Sequence, residues 1–135
     1  MKVATFALAG LALFAAIPAK AEQGCLRGLD IYSFDAQNDR TLIVESNRHE
    51  KYKLALFGTC TGMKFKQHLA FKTIGGSDLS CLSKGDEVLT RDWGSGIHEV
   101  CVISKIEPYT AAMQAADKAA KAAKDAAKEN KPAAN

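Results

Sequence analysis

The sequence predicts an all-β fold, a small antiparallel barrel or two-layer sheet of about six strands, with a C-terminal helix rich in alanine and lysine. Apolar and polar residues alternate with a period of two, which is typical of half-buried strands. Clusters of turn-forming residues interrupt this alternation at short intervals. The composition changes sharply near Tyr109, where aromatic and branched aliphatic residues disappear. Short strands with frequent turns favour a barrel or a layered sheet.

The segment "KYKLALF" shows the alternation clearly. Its pattern places Tyr52, Leu54 and Leu56 on one face and Lys51 and Lys53 on the other. Further strands are predicted in "GLDIYSF", "TLIVES" and "HEVCVISKIE".

The segment 63–74, "MKFKQHLAFKTI", reads as one long strand. Because this is long for a small domain, we expect a bend around a barrel corner or a bulge near Gln67. One face would carry Met63, Phe65, Leu69 and Phe71, and the other Lys64, Lys66, His68 and Lys72.

Residues 1–21 have the pattern of a secretory signal peptide. Lys2 precedes an apolar run of about 15 residues, and Ala19-Lys20-Ala21 supplies the small residues of a cleavage site. The run is shorter than the roughly 20 residues that span a bilayer, so no membrane span is expected. The mature chain would start at Glu22, carry a net charge of about +1, and be periplasmic or secreted.

Cys25 follows this region and raises the question of lipidation. The preceding Glu22-Gln23-Gly24 does not fit a lipoprotein cleavage site, which needs small apolar residues. We therefore interpret Cys25 as half of a disulfide.

The four cysteines predict a disulfide framework, because an even count in a small exported domain is typical of one. We predict the pairs Cys25–Cys101 and Cys60–Cys81. A barrel brings its first and last strands together, and Cys60 and Cys81 flank the 63–74 segment. No metal or cofactor is expected, since neither the cysteines nor the three histidines have zinc-ligand spacing.

No motif for catalysis is present in the sequence. A free Cys60 with a distant histidine would be the minimum for a thiol enzyme, but pairing of Cys60 removes that nucleophile. The near-neutral charge argues against a nucleic-acid binder, and none is expected as a partner of an exported protein.

Two surface features are candidate binding sites. Trp93, the only tryptophan, lies in the glycine-rich "RDWGSGIHE" and either stacks on a ligand or caps the core. Alternating lysines form either a stripe for an anionic polymer or a solvated sheet face. These lysines are Lys51, Lys53, Lys64, Lys66 and Lys72.

Residues 110–135 form the helical tail that follows the β domain of residues 22–109. Alanine pairs recur at helical spacing, Thr110 is a candidate N-cap, and Pro132 marks the end. Because alanine buries little area, we expect a projecting helix that is a spacer, a partner surface or a solvated extension.

Several short motifs resemble a known family. "TLIVES", "KYKLAL" with Cys60 after it, Cys81, "KGDEV" and "CVISKIEPY" look like a family of small, secreted, four-cysteine proteins of Gram-negative bacteria. That family is known only as a domain of unknown function, and the resemblance covers about 25–109. It implies an all-β fold and structural cysteines, and no catalytic residue.

Three hypotheses follow for function. The first is a non-enzymatic envelope protein that binds or scaffolds an unknown protein or polymer. The second is a barrel that binds an anionic polymer or single-stranded nucleic acid through its lysine face. The third is a small thiol enzyme.

Overall fold

The computed structural model describes residues 24–91 and 98–130, and it contains six strands and one α-helix within them. The predicted signal peptide and Trp93 lie outside the described residues. The elements are β1 (Ile31–Asn38), β2 (Thr41–Ser46), β3 (Lys51–Leu56), β4 (Leu69–Lys72), β5 (Glu87–Arg91), β6 (His98–Pro108) and α1 (Ala111–Glu129).

The six strands form one antiparallel sheet in the order β1-β2-β3-β6-β5-β4, curled into a half-barrel. The long β6 lies in the middle, because its first part pairs with β5 and its second part with β3. The prediction of six antiparallel strands is confirmed. The expected closed barrel or two-layer arrangement is replaced by a single open sheet, in which β1 and β4 are the edges.

The concave face of the sheet holds the core. Tyr52, Leu54 and Leu56 are buried, as their alternation predicts, and Val44 and Ile103 beside them are fully buried. Burying each aliphatic side chain of this size contributes about 1.5–3 kcal/mol, so this face supplies most of the cohesion of the sheet.

The prediction of one long strand over 63–74 is wrong. Gly62 adopts a left-handed backbone with φ of 67°, and a 3-10 turn covers Met63–Phe65 before the short β4. The turn buries Met63, whose N–H donates to Asp39 Oδ1 at 3.1 Å, and leaves Phe65 87% exposed. The chain does bend at Gln67, as expected, but only Leu69–Lys72 pairs as strand.

A buried carboxylate organises the turn that leads into β5. Asp86 is 2% exposed and accepts hydrogen bonds from the backbone N–H groups of Ser83 at 2.7 Å and Ile74 at 2.8 Å. The Ser83 hydroxyl donates to the same carboxylate at 3.2 Å. Three donors thus satisfy a charge that would be costly to bury alone.

All four cysteines lie in two disulfides, as expected, but the predicted pairing is wrong. The bonds are Cys25–Cys81 and Cys60–Cys101. Cys101 lies on the central β6, which pairs with β3, so it meets Cys60 just after that strand. Cys25 instead meets Cys81, because Arg27 forms a β-bridge with Cys81.

The predicted C-terminal helix is confirmed as α1. Thr110 is its N-cap, with a side-chain oxygen that accepts from the Met113 N–H at 3.3 Å. No residue of α1 is buried. Among the described residues, no helix is long and apolar enough to cross a membrane.

Candidate functional site

The helix α1 runs along the sheet face opposite the core, and its second turn is attached by one carboxylate. Asp117 Oδ2 accepts from Lys53 Nζ on β3 at 2.8 Å and from Tyr109 Oη at 3.0 Å. Gln114 Nε2 donates to the Tyr109 carbonyl oxygen at 3.1 Å. The start of α1 is therefore held by polar contacts with β3 and with the residue after β6.

The electrostatics of this attachment are mutually supporting. The hydrogen bond from Lys53, and then the one from Tyr109, hold the pKa of Asp117 below its ordinary value. Burial and the nearby Asp117 carboxylate raise the pKa of Tyr109. Lys53 Nζ also lies 5.7 Å from the centre of the Tyr109 ring, in cation–π range. The lowered pKa of Asp117 favours its ionised form, and the raised pKa of Tyr109 favours its protonated hydroxyl.

In the described part of the chain, α1 and the sheet line two clefts between them. The first, which we call the proximal cleft, has a volume of about 390 Å³ and opens beside β1, β2 and the first turns of α1. The second, which we call the distal cleft, has a volume of about 850 Å³ and lies between the later turns of α1 and the β1–β2 end of the sheet. The sheet side and the 3-10 turn supply Asp35, Ala36, Gln37, Asn38, Thr41, Lys53 and Lys64 to the distal cleft, and α1 supplies Asp117, Ala120, Lys121, Lys124, Asp125, Ala127 and Lys128.

The charges of the two clefts differ. Three lysines and three carboxylates line the proximal cleft, so its formal charge is zero. Five lysines and three aspartates line the distal cleft, which leaves a formal charge of +2. The distal cleft is therefore the more electropositive of the two.

The structure brings only some of the predicted lysines together. Lys53 and Lys64 both line the distal cleft, whereas Lys51 lines the proximal one. Lys72 lies on the edge strand β4, where its Nζ is 4.0 Å from Glu87, and Lys66 lies between the 3-10 turn and β4. The five lysines thus do not form the continuous stripe that strand alternation suggests.

Sequence reasoning missed the contribution of α1 to this site. Asp117, Lys121, Lys124 and Lys128 are spaced by four, three and four residues, which places them on one side of a helix. The sequence contains this spacing, but the prediction for this segment rests on its alanine pairs. This charged side of α1 faces the distal cleft.

One further cluster has the donor types of a metal site. The ligand atoms of Cys60, Glu99 and Cys101 lie within 4.8 Å of one another. Both sulfurs are joined in a disulfide and are not thiolates, and the Glu99 carboxylate accepts from the Thr61 N–H at 3.2 Å. The cluster is therefore explained by the disulfide and a local hydrogen bond.

Together these features define a small, disulfide-stabilised half-barrel domain with a charged cleft between its sheet and its C-terminal helix. The chain belongs to a family of unknown function (DUF6491), whose model matches residues 1–131. This agrees with the resemblance to a family of unknown function with structural cysteines. No curated protein and no solved structure matches the chain.

Proposed function

We propose that this protein is a non-enzymatic envelope protein, periplasmic or secreted, whose ligand or partner occupies the distal cleft. The observation that carries the proposal is the cleft itself, about 850 Å³ in volume and lined by charged and polar side chains from two elements. Ligand sites in proteins are commonly concave and of 300–1,000 Å³. The Asp117 contact supports the proposal because it positions one wall of the cleft against the other.

The disulfides support a binding role over thiol chemistry. Cys60, the candidate nucleophile, is 1% exposed and bonded to Cys101. A thiolate is the reactive form of cysteine, and a disulfide offers none. The described residues contain no free cysteine.

The disulfides also support the proposed location. Such bonds persist in oxidising compartments, and they stabilise small domains whose cores are limited. An exported protein with the predicted signal peptide would form both bonds after leaving the cytoplasm.

A cleft-filling variant tests the proposal. Thr41 lies on β2 and lines the distal cleft, so Thr41→Trp should fill it. Asn47→Trp, in the exposed turn after β2, is the matched control. The measurement is the melting temperature of each protein against a panel of saccharides, anionic polymers and peptides.

We expect at least one compound to raise the melting temperature of the wild type and of Asn47→Trp, and not that of Thr41→Trp. A compound that stabilises all three proteins equally would place the ligand elsewhere. Thiol titration in denaturant should find no free thiol, and a reactive thiol would contradict the non-enzymatic role.

A further inference from the structure

We infer that the distal cleft binds a linear polyanion, a flexible chain with repeated anionic groups and no aromatic bases. The inference rests on the proposed function, because it names the ligand class for the same cleft.

The first argument is uncompensated charge. Lys64, Lys121, Lys124 and Lys128 line the distal cleft and form no ion pair within the described part of the chain. The fifth lysine, Lys53, is neutralised by Asp117. Four ammonium groups are thus available to a ligand.

The acidic residues of the cleft leave these ammonium groups available. The Asp117 carboxylate is occupied by Lys53 and Tyr109, and Asp35 accepts a hydrogen bond from Gln37 Nε2 at 2.7 Å. Asp125 alone among the lining carboxylates has no such partner in the described residues. Against the four lysines the cleft therefore places one carboxylate without a partner, and its excess charge is positive.

The second argument is the spacing of the charges. Lys121 and Lys128 are seven residues apart on one side of α1, which corresponds to about 10 Å along the axis at 1.5 Å per residue. Lys124 lies between them, and Lys64 extends the site to the opposite wall. A single small anion would reach only part of this row, whereas a chain with repeated anionic groups would contact all of it.

The third argument separates this ligand from single-stranded nucleic acid. Proteins that bind single strands stack the bases on aromatic side chains. The described lining of the distal cleft has no aromatic ring and no arginine. Recognition here would be by charge, which suits a polymer of phosphates or of acidic sugars.

The charge argument gives a quantitative expectation. Each phosphate neutralised on a single strand contributes a slope of about −0.7 to the plot of log K against log salt. Four contacts would give a slope of about −3, so raising NaCl from 50 to 200 mM should weaken binding about fifty-fold.

The experiment uses the full chain with polyphosphate, polygalacturonate and an oligothymidylate as probes, and it measures affinity from 50 to 200 mM NaCl. The test variant combines Lys64→Gln, Lys121→Gln, Lys124→Gln and Lys128→Gln. The control combines Lys51→Gln, Lys72→Gln, Lys84→Gln and Lys105→Gln, which removes the same charge outside the distal cleft. Circular dichroism melting checks that both variants fold.

We expect polyphosphate or polygalacturonate to bind the wild type with the steep salt dependence. The affinity of the test variant should fall at least tenfold, and most of its dependence on salt should disappear. The affinity of the control should fall at most about twofold. Which polymer binds more tightly distinguishes a phosphate chain from an acidic polysaccharide.

Three results would overturn the inference: no binding of either polymer, equal losses in both variants, or tighter binding of oligothymidylate than of both polymers. If a neutral compound raises the melting temperature of the wild type and Asn47→Trp but not of Thr41→Trp, the proposed function stands and this inference fails.

Discussion

Lys53 on β3 and Asp117 on α1 are 64 residues apart in the chain, and their side chains meet at 2.8 Å. This ion pair, the Tyr109 hydroxyl and the Gln114 amide hold the helix beside the sheet, and no residue of α1 is buried. The width of the distal cleft therefore depends on polar contacts at the surface instead of on apolar packing.

The first prediction concerns the titration of Asp117. Its pKa is lowered in the folded protein, so the attachment is fully present above the ordinary aspartate pKa of about 4 and is lost as pH falls through the lowered value. Carboxyl carbon NMR should record this pKa, and Lys53→Met should raise it.

Lys51→Met is the control for this titration, because Lys51 lies on the same strand and is not among the groups that shift the pKa of Asp117. An Asp117 pKa that is unchanged in Lys53→Met would show that the ion pair does not hold the helix in solution.

The second prediction concerns removal of the helix. A chain truncated after Thr110 should melt close to the full-length temperature, because no residue of α1 is buried and few polar contacts tie α1 to the sheet. Calorimetry is the measurement. A drop of more than about 8 °C, on the order of 1–2 kcal/mol for a domain of this size, would show that α1 is part of the core structure.

The third prediction concerns the buried Asp86. Asp86→Ala leaves the Ser83 and Ile74 N–H groups without their acceptor, and should lower the free energy of unfolding by about 2–4 kcal/mol. Asp86→Asn should also lower the free energy of unfolding, because the asparagine NH2 group would face one of these N–H groups where an acceptor oxygen is needed. Urea unfolding measures both.

Asp78→Asn is the matched control, since Asp78 is exposed in the preceding turn. Its effect should stay within about 0.5 kcal/mol. If Asp86→Ala matched this control, the carboxylate would not be organising the turn.

The fourth prediction concerns the order in which the disulfides are reduced. Cys25 and Cys81 are exposed, whereas Cys60 and Cys101 are 1% and 5% exposed. Mild reductant followed by alkylation and peptide mapping should label Cys25 and Cys81 first, because exchange requires access to a sulfur. In denaturant the two bonds should react at similar rates.

Earlier labelling of Cys60 and Cys101 in the folded protein would contradict this order. The bonds close loops with sequence separations of 56 and 41, so each is worth about 4 kcal/mol in the chain-entropy model. Loss of either should therefore lower the melting temperature substantially.

The features that the sequence predicts well are local ones. Alternation buries every second residue from Tyr52 to Leu56, and a threonine ahead of an alanine-rich run caps α1. Both follow from the geometry of single elements. The same reasoning failed at Phe65, because Gly62 turns the chain before the alternation of 63–74 can continue as strand.

The disulfide pairing and the site depend on the order of strands, which local patterns do not determine. Cys101 pairs with Cys60 because β6 lies beside β3. Lys64 and Lys124 line one cleft because the chain returns across the outer face of the sheet after β6. Strand alternation predicts that Lys64 and Lys72 share one face of a strand. In the fold, Lys64 lies in a 3-10 turn and Lys72 lies on the edge strand β4.

The central position of β6 has a consequence for how the chain reaches its native state. Neighbouring strands such as β1, β2 and β3 can pair as soon as they exist, but the two halves of the sheet join only through β6, the last strand in the sequence. Leu56, for example, pairs with Ile103, across a long intervening stretch of chain. Because β6 is made after the other five strands, the sheet cannot be completed during synthesis until almost the entire domain has emerged, and such distant pairings slow folding.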